Sequence, residues 1–497
     1  MWSTVLIFTI ILFCPVKTGS FPDSLTVKVS GGIVHGGIDN ATPNVRHFLG
    51  IPYGQPPLGN LRFAPPQPAQ PFGELNATSI PPSCMQFAIG TATINTRDVL
   101  EFNLGGLNGT TGPISEDCLT LSIWTPLHVG AKKQLPVIIF FYGGAFLTGG
   151  VDVPYQIPSR WIQRTQNHIV VSFNHRDGIF GYPNAAGLSL LNQNVGLADQ
   201  RLAIEWVRDN IAVFGGDASR IGLWGQSSGA IAIAYQTATY RKNPIANSAI
   251  LSSGNEFIDI LTHDPEHGNF SFVSSHFGCP PSPSEELACM RRMDALALVS
   301  YLREQFENGT QAPLTFSPII DNITAFAPGQ MGPVANIPVL IGSTAQDGNV
   351  FVLYKPDGVN ESAADALTME YFFCTAYRAA QARIMPGKGG DGGMGRAYRY
   401  LYSGNFSNIS PRPWMGAWHG SELPLVFGTH GLYRGKSTEL EEETSRVMQD
   451  VWVEFVAGGG KVPSIGGWDG LGREGGVVEF GNGPARVVGL REMERKC

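Results

Sequence analysis

The segment 225–229, Gly-Gln-Ser-Ser-Gly, has the clearest chemical potential in the chain, because it places a serine with a glycine two positions away on each side. Apolar runs at 221–224 and 230–235 flank it, which predicts a strand, a tight turn and a helix. Such a turn strains the serine backbone and admits only small neighbours, while the helix N-terminus favours an oxyanion. The pattern predicts that Ser227 is a nucleophile, with a non-catalytic glycine-rich loop as the alternative.

A serine hydroxyl needs a base, usually a histidine that a carboxylate orients. If the order along the chain is serine, acid, histidine, two of the ten histidines are suitably placed, His419 and His430. His419 is favoured because glycines lie on both sides of it, so its loop can project an imidazole. His430 follows an apolar, helix-like stretch, which is typical of an ordinary polar residue.

Asp347 is the favoured acid, because it lies in a loop directly after the apolar run 339–341. In open α/β sheets, catalytic side chains gather where parallel strands end. Asp321, in the segment 318–322, is the alternative, and capping of a turn is its ordinary structural role.

The segment 142–146, Tyr-Gly-Gly-Ala-Phe, follows the strongest apolar run and offers backbone N–H groups that a ligand can approach. The N–H group of Ser228, directly after the nucleophile, would be a further oxyanion donor. A glycine-rich turn without a ligand is the alternative. Since the sequence contains no Cys/His metal cluster, Walker loop or dinucleotide fingerprint, we predict no cofactor and no metal.

Several short apolar runs indicate an α/β fold with a large, mostly parallel central sheet covered by helices on both faces. The predicted strands are 135–141, 169–173, 221–224, 249–251 and 339–341. A helix is predicted over 198–214, where apolar residues recur at helical spacing and Gly215-Gly216 follows.

The first twenty residues, 1–20, read as a secretory signal peptide with an apolar run over 5–16. A membrane anchor is the alternative reading of this run. We predict a secreted protein with no stable membrane anchor and one domain over 21–497. The net charge of −7 argues against nucleic acid as a partner, and 43% hydrophobic residues indicate a globular chain.

Glycosylation sequons fit the same compartment. The nine candidate acceptors are Asn40, Asn76, Asn108, Asn269, Asn308, Asn322, Asn360, Asn405 and Asn408.

Six cysteines remain if Cys14 is removed with the signal, and they permit fifteen pairings. Cys279 and Cys289 are close in sequence and suggest a local disulfide. Cys84 and Cys118 could close a longer loop. The spacing leaves the partners of Cys374 and Cys497 open.

Three further sets of motifs resemble those of a known family. They are 50–57 with 61–63, 115–119, and 194–200 with 214–217. Together with the serine segment they are highly specific, and the chain resembles the type B carboxylesterase/lipase family, which includes cholinesterases and fungal secreted lipases. The similarity runs from near the mature N-terminus to the C-terminal region.

The resemblance implies an α/β-hydrolase fold and a serine hydrolase that cleaves carboxylic esters of small molecules or lipids. The residues it assigns are Ser227 as nucleophile, Asp347 as acid, His419 as base, and Gly144, Ala145 and Ser228 as oxyanion donors. It also implies the disulfides Cys84–Cys118 and Cys279–Cys289. A lipase for long-chain acylglycerols and a non-catalytic binding or adhesion protein on the same fold are the alternatives.

The chain departs from the family pattern around the site. Gln226 stands where most members have Glu, Ser228 where they have Ala, Asp347 where they have Glu, and Ala145 where they have Gly. The loop 84–118 corresponds to a flap, either a mobile cover or a loop packed on the core. It contains no tryptophan to bind a quaternary ammonium, which argues against a cholinesterase.

Overall fold

The computed structural model describes most of the chain. The described residues are 24–87, 93–99, 113–129, 134–308, 314–384, 396–432, 434–463, 465–466, 468 and 476–497. The predicted signal peptide, Asn108 and most of the apolar segment of the 84–118 loop lie outside them. No helix of the described part is both long and apolar enough to cross a membrane.

The strands are numbered in chain order. They are β1 Thr26–Val29, β2 Gly32–His35, β3 Gly37–Ile38, β4 Val45–Pro52, β5 Gly73–Asn76, β6 Thr120–Pro126, β7 Leu135–Phe141, β8 Ile169–Phe173, β9 Gly216–Gln226, β10 Ser248–Ser252, β11 Val339–Thr344, β12 Ala397–Tyr402, β13 Val477–Phe480 and β14 Arg486–Val488.

The α-helices are numbered in the same way. They are α1 Ile94–Arg97, α2 Ser159–Thr165, α3 Gly178–Gly181, α4 Val195–Asn210, α5 Ser228–Thr239, α6 Gly268–His276, α7 Pro283–Met290, α8 Ala295–Asn308, α9 Glu361–Leu367, α10 Cys374–Ile384, α11 Leu423–Phe427, α12 Glu439–Ala457 and α13 Arg491–Glu494.

A large sheet with the order β14-β13-β12-β11-β10-β9-β7-β8-β6-β4-β3 forms the centre of the protein. The strands from β8 to β13 in this order run parallel, and antiparallel strands complete both edges. Fully buried apolar strands of this kind need cover on both faces. The predicted α/β-hydrolase architecture is confirmed.

Strand β7 shows how the two faces are filled. Val137 and Ile139 pack in the apolar cluster that includes α4, α5 and α10. Ile138 and Phe140, which point the other way, pack in the cluster that includes α2, α11 and α12. Because these strands run parallel, their carboxyl ends lie at one edge of the sheet. The loops that carry the candidate side chains leave the sheet at this edge.

Helix α4 begins at Val195, earlier than the predicted start at Ala198. Its α-helical part ends at Asn210, and a 3-10 turn, Ile211–Phe214, completes the predicted span. Gly215 ends the turn with a φ of 93°, a left-handed conformation that favours glycine.

Three disulfides are present. Cys84–Cys118 and Cys279–Cys289 match the predicted pairs. The third joins Cys374, at the start of α10, to Cys497, which follows α13. Their 123-residue separation in sequence explains why spacing alone gave no partner for either cysteine.

The sequons differ in accessibility. The exposed acceptors are Asn40, Asn76, Asn322, Asn360 and Asn405. Asn408 differs because its side chain is buried and its amide donates to the His430 carbonyl at 2.8 Å. We therefore expect no glycan at Asn408 in the folded protein, contrary to the sequence prediction.

Candidate active site

Ser227 lies in the sharp turn between β9 and α5, with φ 55° and ψ −126°. The two glycines that flank it are required by close packing. A Cβ atom at Gly225 would lie 2.5 Å from the carbonyl carbon of Gly229, and one at Gly229 would lie 2.2 Å from the Phe141 carbonyl oxygen. The strained serine at the end of a central strand therefore has the geometry of a nucleophile elbow.

Asp347 and His419 are in direct contact, with 2.7 Å between Oδ1 and Nδ1. Both side chains are buried. The second carboxylate oxygen of Asp347 accepts hydrogen bonds from the Thr344 backbone N–H at 2.8 Å and the Ser253 hydroxyl at 3.1 Å. Because a carboxylate only accepts, the neutral imidazole carries its proton on Nδ1 and leaves Nε2 as an acceptor.

The loops that carry Asp347 and His419 are bonded to each other. The Gln346 side chain accepts from the Ala417 N–H at 2.8 Å, and the Gln346 N–H donates to the Ala417 carbonyl at 3.0 Å. Two aromatic rings, Phe351 and Phe372, pack against the imidazole, each with its centroid 5.0 Å away. The orientation of His419 is therefore fixed by Asp347, its own loop and these rings.

The serine turn packs against the same region. A Cβ atom at Gly420, the residue after His419, would lie 3.4 Å from Nε2 of Gln226. Nε2 of His419 is buried and bonds no described residue, Ser227 included. Catalytic hydrogen bonds are often long in unliganded enzymes and shorten in the complex with substrate.

The alternative candidates have structural roles. Asp321 Oδ1 accepts from the backbone N–H groups of residues 323, 324 and 325, which is a turn cap. His430 bonds Ser437 at 2.6 Å, beside the N-terminus of α12. Neither residue makes a hydrogen bond to Ser227, Asp347 or His419.

The segment 142–146, which we call the oxyanion loop, passes close to the serine. A Cβ atom at Gly143 would lie 2.9 Å from Cβ of Ser227. Gly144 has φ 125°, and a Cβ there would lie 2.1 Å from the Thr148 carbonyl oxygen. The N–H groups of Gly144 and Ala145 make no hydrogen bond within the described part of the chain. Ser228 begins α5, so its N–H is also free of a helical acceptor.

Sequence reasoning missed two residues that touch this region. Ser253, with a left-handed φ of 49°, donates to Asp347. The rule that side chains gather after strand ends would have found it, because it follows β10 directly. Glu422, three residues after His419, is buried, and neither of its carboxylate oxygens has a partner among the described residues. Its position just before the apolar helix α11 was the available signal.

Burial raises the pKa of Glu422 from 4.5 to about 8, and the negative charge of Asp347 adds to the rise. Glu422 is therefore largely protonated at neutral pH, which avoids a second charge beside Asp347.

Replacing Glu422 by glutamine is expected to flatten the pH dependence of stability. A carboxyl with a raised folded-state pKa contributes stability below pH 4.5, and this contribution is lost as the pH rises through about 8. The loss is on the order of 5 kcal/mol. Thermal unfolding from about pH 5 to about pH 9 should show Glu422→Gln gaining on the wild type toward alkaline pH. The exposed control Glu443→Gln should follow the wild type, and parallel curves for all three proteins would contradict the expectation.

Comparison with known proteins extends over most of the chain. The family model described as "Carboxylesterase family" matches residues 23–382 and 355–474. A chlorogenic acid esterase of Aspergillus niger is 41% identical over 442 residues, which cover 87% of this chain and 83% of that protein. Secreted lipase 5 of Gibberella zeae is 40% identical over 478 residues, 89% of this chain and 87% of that protein.

A more distant relative matches a similar share of the chain. An acetylcholinesterase of Bungarus fasciatus is 28% identical over 473 residues, 84% of this chain and 75% of that protein. Three findings point to the same family. They are the strand-to-helix turn at the serine, the Asp–His contact, and the family match across most of the chain. The chain belongs to the carboxylesterase family.

Proposed function

We propose that this carboxylic ester hydrolase uses Ser227 as its nucleophile, His419 as general base and acid, and Asp347 as the carboxylate that orients the histidine. The observation that carries the proposal is the 2.7 Å Asp347–His419 contact, which leaves Nε2 of the imidazole without a partner among the described residues. The serine turn packs beside the loop that presents this nitrogen.

In the reaction, Nε2 of His419 takes the hydroxyl proton of Ser227 while Oγ attacks the ester carbonyl carbon. The carbonyl electron pair moves to oxygen, and the N–H groups of Gly144, Ala145 and Ser228 stabilise the resulting oxyanion. The imidazolium then gives its proton to the departing alcohol oxygen, which leaves an acyl-serine. A water molecule attacks in the same way, with His419 again as base, and releases the acid and the free serine.

Labelling with a fluorophosphonate tests the nucleophile directly. Such a probe phosphonylates an activated serine, so peptide mapping of the full-length protein should find the adduct on Ser227. Absence of labelling in folded protein would favour the non-catalytic binding protein. An adduct elsewhere would overturn the assignment of Ser227.

We further propose that the protein acts outside the cell. The apolar run near the N-terminus, the three disulfides and the five exposed sequons support this, because disulfides persist in oxidising compartments. One relative, Secreted lipase 5, is described by its name as a secreted protein.

For the substrate we propose an ester with a planar aromatic group. Phe351 is 51% exposed, and its ring stacks on Phe372 at 5.4 Å and 22°. Both rings contact His419, so a substrate ring could pack against them next to the reacting atoms. The relative named chlorogenic acid esterase acts on an aromatic ester by its name, which agrees with this choice.

A lipase is the second candidate. Two exposed apolar side chains favour it. Leu353, two residues after Phe351, is 69% exposed, and Tyr371, directly before Phe372, is 43% exposed. Hydrolysis rates for chlorogenic acid, methyl octanoate and an emulsified long-chain triacylglycerol separate the two candidates. Preference for the triacylglycerol would replace the aromatic-ester proposal with the lipase.

Truncation of Phe351 to alanine is expected to lower kcat/KM for chlorogenic acid about tenfold, since one lost aromatic contact is worth about 1.4 kcal/mol. The effect on methyl octanoate should be several times smaller, because Asp347, the histidine loop and Phe372 still hold the His419 imidazole. Leu191→Ala, a control at a leucine that is 60% exposed in a surface turn, should change neither rate. Equal losses on both esters for Phe351→Ala would contradict an aromatic subsite at this position.

A further inference from the structure

A cluster of buried charged and aromatic side chains lies behind the oxyanion loop, where β8 ends. Tyr142, the first residue of the loop, stacks its ring on His175 with centroids 4.5 Å apart and an interplanar angle of 8°. The Tyr142 hydroxyl accepts the His175 backbone N–H at 3.1 Å and lies 3.4 Å from Oδ2 of Asp177. His175 and Asp177 therefore hold the chain as it enters the loop.

The far end of the loop is attached to the same segment. The Gly178 N–H, directly after Asp177, donates to the Phe146 carbonyl at 2.7 Å. Between the two attachments, Ala145 and Phe146 have left-handed φ values of 58° and 59°. Such conformations are strained and persist only where the surroundings hold them. The shape of the loop thus depends on the segment 175–178.

The His175 imidazole is buried, and both of its nitrogens have polar neighbours. Nδ1 lies 3.4 Å from the Arg176 carbonyl oxygen, its hydrogen-bond acceptor, and 3.3 Å from Oδ1 of Asp177, which is an ion-pair contact without hydrogen-bond geometry. Nε2 lies 3.4 Å from Nε2 of Gln200. The Gln200 amide oxygen has no hydrogen-bond partner among the described residues. A half-turn of that amide gives Nε2 of His175 an acceptor, so both ring nitrogens can donate, as an imidazolium requires.

The balance of charge points the same way. Arg176 and Asp199 form a buried bidentate pair at 2.6 and 2.8 Å, so their charges cancel. Asp177 is also buried, and the ionisable base in contact with it is His175. With a neutral imidazole, this cluster would contain one uncompensated buried carboxylate, which is strongly destabilising.

The pKa directions agree with this geometry. Burial lowers the pKa of His175, but the negative charge of Asp177 and the hydrogen bond to the Arg176 carbonyl act against it, and the net shift is upward. The other titratable groups in the cluster are tyrosines, Tyr53, Tyr142 and Tyr182. Burial raises the pKa of each well above its usual value, so all three stay uncharged.

We propose that His175 and Asp177 form a buried imidazolium–carboxylate pair that, through Tyr142, positions the oxyanion loop for transition-state stabilisation. Both are positioning residues, because they act through the loop rather than on the substrate. The inference rests on the oxyanion assignment proposed above. It adds that a charged pair of side chains, which takes no part in the proton transfers, holds the oxyanion donors in position.

The test is a charge-rescue cycle in the full-length enzyme, with an ester of short acyl chain as substrate. His175→Gln leaves Asp177 unpaired, and we expect kcat to fall at least about tenfold with KM changed less than about twofold. Asp177→Asn alone should cost less, because His175 can then release its proton. The double variant His175→Gln/Asp177→Asn contains neither charge and should recover kcat to within about threefold of the wild type.

His168→Gln is the matched control for loss of a buried histidine. His168 is buried and directly precedes β8. Burial lowers its pKa to about 3, and the positive charge of Arg164 adds to the fall, so the imidazole is neutral. This variant should lower the melting temperature while kcat stays near the wild-type value. An equal fall in kcat for His168→Gln and His175→Gln would mean that both effects are general destabilisation.

Tyr142→Phe keeps the stacked ring and removes the hydroxyl, so it serves where His175→Gln does not fold. We expect kcat to fall several-fold, with KM and the melting temperature close to the wild type. Unchanged kcat in Tyr142→Phe, or a double variant no better than His175→Gln, would overturn the proposal. If Ser227→Ala keeps activity, the oxyanion assignment itself fails; if Ser227→Ala is inactive and the variants of this cluster are normal, only the present inference fails.

Discussion

Replacement of Ser227 by alanine is expected to lower kcat by about a millionfold, to the residual rate that the oxyanion hole and binding alone provide. The physical reason is that the substitution removes the atom that forms the acyl-enzyme. It leaves the backbone intact, because a methyl group fits wherever the hydroxymethyl group did. The strained turn between β9 and α5, with the Ser227 N–H bonded to the Ser252 carbonyl at 2.8 Å, should persist.

The measurement is hydrolysis of a p-nitrophenyl ester by purified protein, together with fluorophosphonate labelling of the same samples. Ser275→Ala is the control, since it makes the same chemical change at an exposed serine of α6. The control should keep wild-type kcat and labelling. A Ser227→Ala protein with more than about one hundredth of wild-type kcat would show that another residue is the nucleophile.

The parts of the fold that the sequence predicted well have local causes. Strands β7 and β8 have the predicted bounds because each is a short, mainly apolar run, and the loops that follow contain Gly143 and Asn174. The turn at Ser227 was predictable because its glycines are required by contacts within the turn itself and with the end of β7. In such segments, the pattern of residues close in sequence is enough to indicate the conformation.

The site was predictable only in part, because its members meet through the sheet. The rule that side chains gather after strand ends drew attention to Asp347, but Asp321 also fitted the order along the chain. The structure distinguishes them by contact, since Asp347 lies 2.7 Å from His419 and Asp321 caps a turn. No local pattern carries that information.

Buried polar partnerships were the least predictable. Glu422 and Asp347 are far apart in sequence, and the raised pKa of Glu422 arises from packing. The same is true of His175 and Gln200, whose contact joins the segment after β8 to helix α4. A sequence shows that such residues are polar, but whether they are buried or paired depends on the assembled core.

Replacement of Asp347 by asparagine is expected to lower kcat about ten-thousandfold with little change in KM. The argument follows from the hydrogen bonds of the carboxylate. Oδ2 accepts from the Thr344 N–H and the Ser253 hydroxyl, so the single oxygen of an asparagine will face those two donors. Its NH2 group will then face Nδ1 of His419, which must become an acceptor.

In that arrangement the imidazole proton moves to Nε2, where it prevents the histidine from accepting the proton of Ser227. The fold should survive, because the substitution is isosteric and each hydrogen bond keeps a partner. Asp321→Asn is the matched control, since it alters an equally buried carboxylate that caps a turn. We expect it to lower the melting temperature while kcat stays within about threefold of the wild type. If Asp347→Asn retains kcat within about tenfold, or Asp321→Asn loses as much, then Asp347 does not set the tautomer of His419, and the carboxylate that orients the base must lie elsewhere.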